Sequence, residues 1–262
     1  MRVLKIIVCA LAVAAACAGC KSQYDILLEG NDANAKYKAA FEYFDAGKYQ
    51  KAAQLFESLT FLTSGTERDD TVHYYWGLSN YKFKDYYSAE GNFTSFVETF
   101  PRSVFTEEAR FLKIDCMFRG TLRYELDQTP TYKTLSEIST FLVEYPGTDK
   151  REICDKMTDD LTERLEKKEF ENARLYYKME DYKAARIALK NVLKDNAENH
   201  YREEILYHIA MSSYKYADMS IASKKKERFL EFQDDYLNFV GEYPESKHRS
   251  ELDNLYNKVK KK

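Results

Sequence analysis

Glycine and proline are scarce in this 262-residue chain, nine and four in all. That excludes collagen-like and turn-rich β architectures and leaves long segments free to run as helix. A single tryptophan stands against twenty-two tyrosines, so most rings carry a polar tip, which suits seams between helices and interaction grooves. The four histidines, His73, His200, His208 and His248, are scattered, with no HExxH, no glycine-rich phosphate loop and no nucleophile elbow. No catalytic set, metal site or cofactor is expected; His200 and His208 read as surface or seam histidines sharing a helix face. Basic excess is also missing: the formal charge is −3, and nucleic acid is not an expected partner.

What is present begins with an export signal. Arg2 and Lys5 precede an apolar run over residues 6–16 that is too short for a membrane span. It ends in Cys17-Ala18-Gly19-Cys20, which resembles the lipobox of bacterial lipoproteins, where the cysteine is acylated and becomes the first residue. Residues 1–19 are therefore read as a lipoprotein signal peptide and Cys20 as the acylation site, anchoring the chain to lipid. Cys17, where that motif usually has an aliphatic residue, is an alternative, and an ordinary secretory signal is another. Residues 20–32 read as a polar tether. Cys116 and Cys154 remain; they lie a little over one repeat apart, so a bridge in an oxidising compartment is open, but lone cysteines on helices are more often small buried hydrophobes.

The rest of the chain repeats itself. Tyr37, Ala40, Phe41, Phe44, Tyr49, Ala52 and Phe56 return thirty-seven residues later as Tyr74, Gly77, Leu78, Tyr81, Tyr86, Ala89 and Phe93. A third copy of the aromatic-small-large frame starts at Asp181-Tyr182, and Phe100-Pro101, Tyr145-Pro146 and Tyr243-Pro244 close three helical runs. Small residues let paired helices approach, and large ones fill the seam, so that no pair is stable alone. This pattern resembles the tetratricopeptide repeat, with His73, Trp76 and Asn80 departing from its usual Trp, Leu and Tyr. The expectation is an all-α tetratricopeptide-repeat superhelix of about five pairs, at residues 33–66, 67–101, 103–146, 149–197 and 198–245, capped by a helix over 247–261. The first helix of the third pair is expected to run through Tyr124, and the fifth pair to be interrupted over 220–228.

Two triplets at spacing i, i+4, i+7 mark the candidate site: Tyr37, Phe41, Phe44 and Tyr74, Leu78, Tyr81. In the repeat family these positions face the inner side, where an extended peptide lies; equally, they can seal neighbouring pairs. The lipobox, tether and phrases FVETFP, FLVEYP and FVGEYP together resemble the BamD family of outer-membrane lipoproteins, in its Bacteroidota form. That resemblance implies a non-enzymatic scaffold of the β-barrel assembly (BAM) complex on the periplasmic side of the outer membrane. Its partners would be unfolded outer-membrane proteins and the POTRA domains of a BamA-like barrel subunit. In that setting the aromatic ladder would stack on the client's terminal aromatic residue and Lys36 or Lys82 would attract its carboxylate. A repeat scaffold for cell division or peptidoglycan coordination, and a SusD-like nutrient-binding lipoprotein, are the alternative readings.

Overall fold

The computed structural model describes residues 22–260; the export signal and Cys20 lie outside them. Twelve helices are found among the described residues: α1 (Gln23–Glu29), α2 (Ala33–Asp45), α3 (Tyr49–Leu62), α4 (Asp69–Phe83), α5 (Tyr86–Thr99), α6 (Thr106–Gly120), α7 (Thr129–Glu144), α8 (Arg151–Lys178), α9 (Tyr182–Asp195), α10 (Arg202–Asp218), α11 (Ala222–Glu242) and α12 (Arg249–Lys260). Short turns make sequence neighbours antiparallel. The fold is all-α, built of tetratricopeptide-type helix pairs. Contacts divide the chain into unit 1, up to Thr121 with Ser136–Thr148, and unit 2, Leu122–Leu135 with everything from Asp149 onward.

The repeated sequence frame has a local physical origin. The chain turns from α2 into α3 through Gly47 at φ +71°, and Lys84 and Glu180 take the same left-handed conformation in the α4–α5 and α8–α9 turns. Asp85 and Asp181 then cap the next helix, their side chains accepting from the backbone N–H of Ser88 and Ala184, both at 3.1 Å. The aromatic-Pro ends also match: the N–H groups of Phe100, Tyr145 and Tyr243 donate to the carbonyls of Phe96, Phe141 and Phe239 at 2.8–2.9 Å, and the following proline stops the helix.

In unit 1, Ala40, Ala52, Leu55, Phe56, Leu59 and Val72 form one buried cluster, and Ala89, Phe93, Phe96, Ala109, Leu112 and Cys116 anchor the next. The C-terminal half of α7 joins through Phe141, whose ring lies 6.3 Å from Phe111, and through Lys113–Glu137 at 2.9 Å. In unit 2 the core is Phe170, Leu189, Ile209, Phe232, Phe239 and Leu252. Helix α10 is buried on nearly every side from Ile205 to Tyr214, with His208, Ser212 and Ser213 among the buried residues, as in a helix surrounded by others.

Four local expectations are corrected. Within the tether, residues 23–29 form α1: Ser22 and Asp25 make a capping box, and Tyr24 is buried with its hydroxyl on Gln54 Oε1 (2.7 Å). Helix α6 stops at Gly120 instead of reaching Tyr124, and the following loop is tied by Gln128 donating to the carbonyls of Arg123 (2.9 Å) and Leu126 (3.1 Å). Residues 222–228 belong to α11, because Lys224–Lys226 are good helix formers that need only solvent around them. His200 sits ahead of α10 and His208 on it, so the two share no helix face. Cys116 and Cys154 are both free thiols, buried in helices; burial pushes the Cys116 thiol up to about 12.

Candidate functional site

The two aromatic triplets stand on α2 and α4, the first helices of adjacent pairs in unit 1. Phe41 packs edge-on to Phe56 at 5.1 Å and to Tyr75 at 4.7 Å, while Tyr37 lies 4.9 Å away. Phe44 meets Tyr49 at 5.4 Å and Tyr75 at 5.2 Å. Tyr75, absent from the sequence-based set, is thus the hub where the first pair's triplet meets the second pair. No period search would single it out, since it lies one residue off the repeated register.

The second triplet faces the third pair. The Tyr74 ring stacks on Phe105 at 4.4 Å with 9° between planes. Burial, followed by the charge of Glu108, pushes its hydroxyl up to about 12. Leu78 is half-buried in the same cluster. Tyr81 donates its hydroxyl to Asp115 Oδ2 at 2.7 Å and is edge-on to Tyr86 at 5.6 Å. Burial and this hydrogen bond both raise the Tyr81 hydroxyl. Both triplets therefore reach across to the next pair; Tyr37, Phe41, Phe44, Leu78 and Tyr81 keep part of their surface in solvent, and Tyr74 is buried.

The two candidate cations behave differently. Lys36 is only 4% exposed, and its ammonium donates to the Leu28 carbonyl at 2.7 Å and to Ser58 Oγ at 3.2 Å. Burial lowers its pKa. The expectation that Lys36 attracts a ligand carboxylate is thus corrected: its donors pin α1 and α3 to α2 and leave no accessible charge. Lys82 is exposed in the last turn of α4.

A second exposed cation was missed. Arg119, four residues after Asp115 on α6, donates Nε to the Asp115 carboxylate at 2.5 Å, and its guanidinium lies 4.9 Å from the Tyr86 ring. Asp115 is buried and holds both Tyr81 and Arg119, so the arginine's outer edge is oriented before any ligand arrives. Its only sequence signal is the i,i+4 pairing of Asp115 with Arg119. At the other end of the row, Arg68 lies 4.6 Å from the Tyr37 ring and donates to Asn34 at 2.8 Å. Aromatic rings flanked by Arg68, Lys82 and Arg119 can bind an aromatic, anionic peptide segment.

Among the described residues, no helix is long and apolar enough to cross a membrane. Two solved repeat-protein structures match the chain at low identity. The TPR2AB-domain:pHSP90 complex of yeast Sti1 is 16% identical, covering 87% of this chain and 98% of that one at a TM-score of 0.42. TTC0263, a thermophilic TPR protein of Thermus thermophilus, is also 16% identical, with the same coverages and a TM-score of 0.33. No curated relative matches the sequence. A family model described as YfiO, outer membrane lipoprotein, matches residues 29–230. That match takes in more than three-quarters of the chain, and the protein belongs to the YfiO family of outer membrane lipoproteins.

Proposed function

We propose that the protein is a scaffold of the β-barrel assembly machinery, held on the periplasmic side of the outer membrane by an acylated Cys20. In this reading unit 1 receives the C-terminal, aromatic-ended strand of unfolded barrel proteins, and unit 2 docks the POTRA domains of a BamA-like subunit. The observation that carries the reading is the family match over residues 29–230. Unit 1 adds a place for the client: half-exposed rings at Tyr37, Phe41, Tyr81 and Tyr86, with exposed cations at Lys82 and Arg119. The carboxylate role falls to these two, since Lys36 is buried.

Two measurements test it. Crosslinking in native envelopes followed by purification should recover a barrel subunit and barrel precursors; recovery of cell-wall enzymes or a TonB-dependent transporter in their place would end the proposal. In vitro, Arg119→Ala with Lys82→Glu should weaken a peptide ending in a phenylalanine carboxylate by about tenfold, the size of one charged hydrogen bond. It should leave the amidated peptide unchanged. Equal loss for both peptides would remove the carboxylate role from these residues.

A further inference from the structure

One end of unit 2 carries an arrangement that client binding does not use. The turn between α10 and α11 holds Met219 and Ile221 out in solvent, 68% and 71% exposed. The helix that follows opens with Lys224, Lys225 and Lys226 and has no acid in its first turn. Beside the turn lies a cavity of about 200 Å³ between α9, α10 and α11, with Lys183 on its wall. Two arginines line it in fixed positions. Arg186 is bound to Asp235 at 2.6 Å and Glu231 at 2.8 Å, and Arg228 bonds to Ser220 with its guanidinium 4.0 Å from the Tyr216 ring. Ile187, more than half exposed, adds an apolar side chain to the lining.

Glu227 pairs with Lys224 at 3.1 Å and Arg186 is held by two acids, but residues 222–228 still carry four cations against one acid in a chain whose net charge is −3. A segment of acidic residues alone would meet the lysines and leave Met219 and Ile221 in water. A bilayer surface accommodates both: apolar tips enter the boundary between headgroups and acyl chains, and ammonium groups meet phosphates. We propose that this end of unit 2 is a peripheral binding surface for anionic phospholipid headgroups. The inference uses only the family's outer-membrane setting, and client binding is not part of it.

The test uses the unacylated chain, Cys20→Ser, and phosphatidylcholine vesicles with or without phosphatidylglycerol. The protein should sediment with the anionic vesicles and stay free with the neutral ones. Lys224→Gln, Lys225→Gln and Lys226→Gln together should lower partitioning roughly a hundredfold, at about fivefold for each lysine near an anionic surface. Met219→Ser with Ile221→Ser should lower it at unchanged charge. Four of the five side chains are exposed and Lys225 is half-buried, and circular dichroism checks that each variant is folded. Absence of vesicle binding, or binding indifferent to the three lysines, overturns the proposal. So does lysine-dependent binding of soluble polyglutamate without vesicle binding, which would assign the surface to an acidic protein partner.

Discussion

The same substitution, glycine to alanine, should have opposite effects at two positions fourteen residues apart. A methyl group at Gly77 would stand 2.9 Å from Phe93 Cε1, 3.0 Å from Cδ1 and 3.3 Å from Asn92 Cβ, where carbon atoms normally settle about 3.5–4.0 Å apart. Neither neighbour gives way easily. Phe93 is fully buried and 6.2 Å from the Tyr74 ring, and Asn92 accepts from Asn80 at 2.7 Å. Overpacking costs about 1–3 kcal/mol, against about 1 kcal/mol gained from alanine's better helix propensity. Gly77→Ala should therefore destabilise unit 1 by about 1 kcal/mol. At Gly91, within α5, an added Cβ meets nothing within 4 Å, so only the propensity gain of about 0.5–1 kcal/mol is left. Trp76, the single tryptophan, adjoins Gly77, so denaturant unfolding followed by its fluorescence reads unit 1. Phe93→Leu, which removes the crowding ring atoms, should make Gly77→Ala less costly in a double-mutant cycle. If both glycine variants stabilise equally, the close approach of α4 to α5 at Gly77 is not real.

Asp115→Ala should cost about 1–3 kcal/mol, because Tyr81 and Arg119 both lose their buried acceptor; Asp115→Asn should restore part of it, again read by Trp76 fluorescence. Lys36→Ala should release α1 from α2 and α3, seen as faster amide exchange over residues 22–30 with little change elsewhere. Replacing Lys84, held at φ 68°, with glycine should stabilise the α4–α5 turn by about 1 kcal/mol, measured the same way. The histidines set opposing pH dependences. Burial holds His73 and His208 below the usual 6.5. Their contribution is therefore complete above 6.5 and falls as acidification forces protons onto buried rings. His200, bonded to Glu166 Oε2 at 2.5 Å, is raised. Its contribution is complete below 6.5 and is lost as pH rises through its folded-state value. His200→Asn should therefore abolish the gain in stability as pH falls toward 6.5 and leave the loss below 6.5 unchanged, measured by denaturation between pH 8 and 5.

The periodic sequence by itself determined the helix pairs. The thirty-seven-residue return of Tyr37, Ala40 and Phe56 as Tyr74, Gly77 and Phe93 states which faces are large and which are small, and local turn chemistry at Gly47, Asp85 and Asp181 ends and restarts the helices without help from distant residues. The proline after Phe100, Tyr145 or Tyr243 acts equally locally. The apolar spacing could not say what the aromatic triplets face, because an inner surface and a seam between pairs require the same stripe. Only the packing of Phe41 and Phe44 on Tyr75, and of Tyr74 on Phe105, decided that they reach the neighbouring pair. The fates of the charges were likewise tertiary. Lys36 and Lys82 look alike in sequence, but one ammonium is enclosed by Leu28 and Ser58, far apart along the chain, while the other stands in water. Arg119 became part of the site through a buried carboxylate that also holds Tyr81, thirty-four residues earlier. Periodicity reports which side of a helix is apolar; which charge stays accessible depends on atoms that meet only when the pairs stack.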